Sequence, residues 1–131
     1  MIGLLIVTHC DLGKEFLNAA EFIVGSVRGS DYISITQTSD SEEIHRLISE
    51  KITALNDGSG VIILTDMFGG TPSNISLSFL KDEMVEVITG VNLPMVLAIA
   101  QNRNGCDLSS LAKKARDAAK MGISLAGHLL K

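Results

Sequence analysis

Ile2-Gly3-Leu4-Leu5-Ile6-Val7-Thr8-His9 decides the fold, together with a second run that ends in a similar way, Val61-Ile62-Ile63-Leu64-Thr65-Asp66. Neither run alternates apolar with polar residues. Neither therefore has a face suited to water, and both read as strands of a parallel sheet buried on two sides. After the first comes Asp11-Leu12-Gly13-Lys14, a helix-opening segment; after the second comes the loop Met67-Phe68-Gly69-Gly70-Thr71-Pro72. In an open α/β sheet, ligands bind beyond the carboxyl ends of the strands, which is where His9 and Asp66 stand. If the two strands are neighbours, Asp66 reaches the ring of His9.

Strand-like and helix-like segments alternate outward from these two runs. Leu12, Phe16, Ala20, Ile23 and Val27 repeat at helical spacing, with Gly25 and Gly29 as stop signals. Asp31 to Thr36 is a short strand. Ser39 and Glu42 form a capping box ahead of Ile44, Leu47, Ile48, Ile52 and Leu55, and Asn56-Asp57-Gly58 ends that helix. Thr71 followed by Pro72 reads as a cap with proline at the first helical position, which predicts a third helix from Pro72 to about Lys81. Met84 to Thr89 is the next strand. Asn92 and Pro94 open another helix, Asn104-Gly105 breaks it, and Asp107 caps a last one that stops near Gly122. Ile123 to Leu130 alternates weakly and is too short for another packed helix, so it reads as a final strand. The pattern predicts an α/β fold of right-handed βαβ units: a doubly wound, mainly parallel sheet of about four strands with helices on both faces.

Composition narrows the function. The 131 residues, 46% of them hydrophobic, fit one domain spanning 1–131 with a real core. The longest apolar stretches, such as Pro94 to Ala100, fall far short of the roughly 20 residues of a membrane helix. The N-terminal run lacks the basic region and cleavage site of a signal peptide. A formal net charge of −4 without any basic cluster argues against a nucleic-acid surface. Cys10 and Cys106 make no CxxC and no zinc spacing, so a reducing, cytoplasmic compartment and no metal are expected. Neither GxGxxG nor GxxxxGK[ST] occurs, which argues against a dinucleotide or P-loop ligand, and no cofactor is expected.

Phosphoryl transfer to a protein side chain needs an unprotonated nucleophile, a group that fixes its orientation, and donors for the phosphoryl oxygens. Histidine meets the first need near neutral pH. A carboxylate on one ring nitrogen leaves the other free and stabilises the cation formed on phosphorylation; Asp66 is the candidate. Backbone N–H groups at the starts of the first and third helices, with Gly69, Gly70 and the Thr71 hydroxyl, would meet the phosphate without a metal. Taken singly, each feature has a plainer reading: His9 as a structural histidine, Asp66 as a helix cap, Gly69-Gly70-Thr71-Pro72 as an ordinary strand-to-helix turn. Their convergence favours the site. His45, on a polar helix face, and His128, near the C-terminus, read as structural, and Glu42-Glu43 as dipole compensation. Cys10 could be a reactive thiol at a helix N-terminus, but adjacent strand residues point to opposite faces, and a buried small residue is the preferred reading.

Ile2 to His9, the block Leu64-Thr65-Asp66-Met67-Phe68-Gly69-Gly70-Thr71-Pro72-Ser73-Asn74, and Glu86 to Met95 together resemble the IIA component of the mannose/fructose/sorbose family of the bacterial sugar phosphotransferase system. The resemblance covers essentially the whole chain, and the related dihydroxyacetone-kinase phosphocarrier domain lacks the FGGTP-type loop. It implies that His9 takes a phosphoryl group on Nε2 from phospho-HPr and passes it to a IIB component. It further implies that Asp66 holds Nδ1 and that Met67, Phe68, Gly69, Gly70 and Thr71 surround the phosphate. A homodimer exchanging a C-terminal antiparallel edge strand is implied as well, with the membrane reached only through IIC and IID components. The chain departs from the family pattern at Cys10, where glycine commonly follows the histidine. Two other readings compete: a regulatory module of the same fold that signals phosphorylation state, and a thiol-dependent enzyme using Cys10.

Overall fold

The computed structural model describes residues 1–131. Its elements run β1 (Gly3–His9), α1 (Leu12–Val24), β2 (Ser30–Ile35), α2 (Ser41–Leu55), β3 (Val61–Thr65), α3 (Thr71–Leu77), β4 (Val85–Ile88), α4 (Leu93–Asn102), α5 (Leu108–Met121) and α6 (Ala126–Leu129). The four strands are all parallel, in the order β2-β1-β3-β4. The two runs of purely apolar residues are the two central strands. Within them successive side chains divide the core. Leu4, Ile6, Ile62 and Leu64 face α1, α4 and α5, whereas Leu5, Val7, Val61 and Ile63 face α2 and its neighbours. All eight are 0% exposed. Burying such a side chain contributes about 1.5–3 kcal/mol, so sheet position outweighs local propensity here.

From β1 the chain winds outward to β2, and from β3 it winds the other way to β4, which leaves the switch point between β1 and β3. Gly13 lets α1 lie tight on β1, since a side chain there would meet the Ile6 carbonyl at 3.0 Å. At the opposite pole Arg103 closes the sheet. Its guanidinium, 3% exposed, donates to the carbonyls of Ile2, Arg28 and Gly29. No carboxylate faces it, and burial lowers its pKa from the ordinary value.

Three local expectations change. The α2 cap is Asp40, whose Oδ1 accepts from Glu42 N–H, because Ser39 Oγ is taken by Thr36 N–H one turn earlier. Helix α3 is capped by Gly70, with Thr71 already helical, and it ends at Leu77; beyond it the N–H groups of Ser78, Phe79 and Leu80 bond three residues back in tighter turns. The final strand is absent. Met121 to Lys131 is exposed throughout, and the segment contains α6 instead, closed by bonds such as His128 N–H to Leu125 carbonyl. With no strand beside it, a strand-like segment has no ladder to join and satisfies its backbone locally. Asn92 and Asp107 cap α4 and α5 as expected, accepting from Met95 and Ser110 N–H. That second bond holds the Asp107 carboxyl below its usual range.

Candidate functional site

His9 ends β1 and Asp66 follows β3, so the two meet across the switch point. Asp66 Oδ2 lies 2.8 Å from His9 Nδ1 and also accepts the His9 backbone N–H at 3.0 Å. Its other oxygen accepts Met67 N–H at 3.1 Å. The carboxylate is thus saturated on its protein side and only 12% exposed, while the imidazole is 46% exposed. Because an ionised carboxylate only accepts, the neutral ring carries its hydrogen on Nδ1 and leaves the lone pair on Nε2.

The loop lies against the free edge of the ring. A side chain at Gly70 would come within 3.0 Å of His9 Cε1 and 3.6 Å of Nε2, so glycine keeps that edge of the ring uncovered. Gly69 has φ +86°, a left-handed conformation that carries the chain around this corner. The N–H groups of Phe68, Gly69 and Gly70 take no acceptor within the chain, whereas that of Met67 is committed to Asp66. Of the residues expected to surround a phosphate, Met67 therefore holds the carboxylate instead. Met67 and Phe68, in the same loop, are 56% and 74% exposed.

Cys10 is exposed rather than buried, at φ +50°. Strand pairing stops at His9 and the chain turns sharply into α1, so the alternation of strand faces no longer applies one residue on. The left-handed conformation is the reason a glycine suits this position. Cys10 Sγ makes no hydrogen bond within the chain. His45 packs its ring on Phe79, with centroids 4.4 Å apart, and His128 lies in α6, both remote in the chain from the switch point.

A set of buried hydroxyls, which no motif marks, lies behind the site. Thr8 and Thr65, each 0% exposed, directly precede His9 and Asp66. Thr8 Oγ1 accepts Gly13 N–H at 2.9 Å and donates to the Cys10 carbonyl, tying the turn after His9 to the first turn of α1. Thr65 Oγ1 lies 2.5 Å from Ser73 Oγ, which donates to the Met67 carbonyl. The signal available was a threonine at the end of each apolar run, where a fully buried strand has no other polar side chain.

Comparison with known proteins agrees with this architecture. The family described as PTS system fructose IIA component (EIIA-man) matches residues 3–116. The chain is 33% identical over 111 residues to the "PTS system sorbose-specific EIIA component" of Lacticaseibacillus casei, covering 82% of this chain and 78% of that protein. It is 29% identical over 104 residues to the "PTS system mannose-specific EIIAB component" of Escherichia coli, covering 79% of this chain but 32% of that longer protein. In structure it resembles the phosphotransferase system component EIIA from Streptococcus agalactiae, with a TM-score of 0.89 at 24% identity over 98% and 99% of the two chains. The mannose/sorbose-specific IIA subunit from Enterococcus faecalis superimposes with a TM-score of 0.83 at 20% identity, over 95% and 93%. The family match over residues 3–116 places the chain in the phosphotransferase-system IIA class. The protein belongs to the mannose/fructose/sorbose IIA family.

Proposed function

We propose that this chain is a phosphocarrier of sugar uptake, in which His9 accepts a phosphoryl group from phospho-HPr and passes it to a IIB component. The observation that carries the reading is the division of the His9 ring: Nδ1 is held by Asp66 at 2.8 Å, and Nε2 faces the open space over Gly70. In the step, the Nε2 lone pair attacks phosphorus while the bond from phosphorus to the donor breaks. Nδ1 keeps its hydrogen, and the imidazolium is stabilised by the Asp66 charge. The unpartnered N–H groups of Phe68, Gly69 and Gly70, with the Thr71 hydroxyl, receive the phosphoryl oxygens. Return of the group to a IIB nucleophile reverses the geometry and leaves His9 unchanged. No helix is long and apolar enough to cross a membrane; the reading places the chain in the cytoplasm, meeting IIC and IID only through IIB. Incubation with phosphoenolpyruvate, enzyme I and HPr tests it.

We also propose that the working form is a homodimer. Strand β4 has no second strand beside it: beyond β3 it meets only Lys81, through a single antiparallel bridge at Val85, so its outer edge is open past that residue. Alongside it, between β4 and α5, lies a cleft of about 1010 Å³ lined by Leu80, Val85, Glu86, Cys106 and Leu108 among others. The C-terminal segment meanwhile exposes Ile123, Leu125, Leu129 and Leu130 at 67–87%. An open edge and an uncovered apolar segment satisfy one another when two copies exchange that segment.

A further inference from the structure

The carboxylate that orients His9 is itself held in place by a relay of buried hydroxyls. Thr65 and Ser73 are both 0% exposed, and their oxygens lie 2.5 Å apart. Ser73 has one hydroxyl hydrogen, which goes to the Met67 carbonyl at 2.5 Å. Thr65 must then donate to Ser73. The relay runs from the last residue of β3, through α3, to the loop that follows Asp66. It acts on the residue whose N–H holds Asp66 Oδ1. Met67 is thus pinned at both ends of its backbone, by the carboxylate at N–H and by Ser73 at the carbonyl. Met67 is otherwise exposed, at 56%, and these two bonds fix the orientation in which its N–H meets Asp66 Oδ1.

We propose that Thr65 and Ser73 are positioning residues that hold the Asp66 loop so that Nδ1 of His9 carries the hydrogen and Nε2 stays free. The role rests on reading His9 as the phosphoryl acceptor. Neither hydroxyl touches the ring or the incoming group. Their effect passes through Met67 to Asp66, and from Asp66 to the tautomer of His9. In the free side chain of histidine the Nε2–H tautomer is the one to be displaced, and a carboxylate displaces it only while it stays within hydrogen-bond distance of Nδ1.

The test reads the tautomer directly, from the ring nitrogen-15 chemical shifts of His9 in the unphosphorylated, neutral state. Thr65→Val and Ser73→Ala are compared with the parent and with Thr65→Ser, which restores the hydroxyl. Both hydroxyl-deleted variants are expected to keep a cooperative melt, to shift population toward the Nε2–H tautomer, and to slow phosphorylation by phospho-HPr at least fivefold; Thr65→Ser should recover both. Parent-like tautomer populations and rates in the folded variants would overturn the proposal. So would a loss of the fold, because that would make the hydroxyls core supports and not positioning groups. If the parent itself takes no phosphate, the functional reading fails on its own, and the tautomer comparison still decides this one.

Discussion

Asp66 Oδ2 accepts from both the backbone N–H and the Nδ1 of His9, at 3.0 and 2.8 Å. A single carboxylate oxygen therefore fixes where the histidine sits and which of its nitrogens is free. Asp66→Asn removes the charge that stabilises the phosphorylated ring and lets an amide N–H face Nδ1. We predict a fall in phosphoryl-transfer rate on the order of 100-fold, the scale seen when a preorganised electrostatic group is lost. The circular-dichroism spectrum should remain that of the parent. Equal transfer rates would reduce Asp66 to a surface charge.

Cys10 stands in a left-handed conformation at φ +50°, with no partner for its thiol. Cys10→Gly should stabilise the chain by about 1 kcal/mol, since that conformation disfavours a side chain by roughly this amount. Phosphoryl transfer should persist. Loss of transfer in this variant, measured beside its urea midpoint, would revive the thiol-dependent reading.

Arg103 is buried against three backbone carbonyls at the pole opposite His9. Arg103→Met keeps much of the side-chain volume but leaves the Ile2 carbonyl without a donor and takes one donor each from those of Arg28 and Gly29, which keep Ser30 Oγ and Leu4 N–H. We predict a loss of about 2–4 kcal/mol in urea unfolding. At a temperature where the variant is still folded, transfer should stay near the parent rate, because no residue of the His9 site touches Arg103. A stability change below about 0.5 kcal/mol would mean that water replaces the guanidinium.

Removal of the segment after Met121 tests the proposed dimer. Light scattering at micromolar concentration should give twice the chain mass for the intact protein and a lower mass after truncation, with a lower melting temperature. A monomeric intact chain, or a dimer that survives truncation, contradicts the exchange.

The sheet was legible because its signal is redundant. The runs ending at Val7 and Leu64 can only be buried strands, and the turns after them can only lead to helices, so the meeting of His9 and Asp66 followed from neighbouring strands alone. What was not legible depended on single hydrogen bonds or on chain copies. Ser39 and Asp40 are equally good caps in one dimension, and only the Thr36 N–H assigns Ser39 elsewhere. Cys10 looked like a strand residue because nothing local announces a left-handed φ at a cysteine. Met67 is one more loop amide in one dimension, and only the fold commits its N–H to Asp66. Ile123 to Leu130 has a strand's pattern but no neighbouring strand within its own chain, and a segment of that kind takes its conformation from whatever it meets.

The role of His9 Nε2 as the phosphoryl acceptor is tested most directly by intact mass after incubation with phosphoenolpyruvate, enzyme I and HPr. One added phosphate per chain is expected, labile in acid and stable in alkali, mapping to His9 and absent from His9→Ala. Phosphate that persists in His9→Ala, or that maps to His45 or His128, would contradict it.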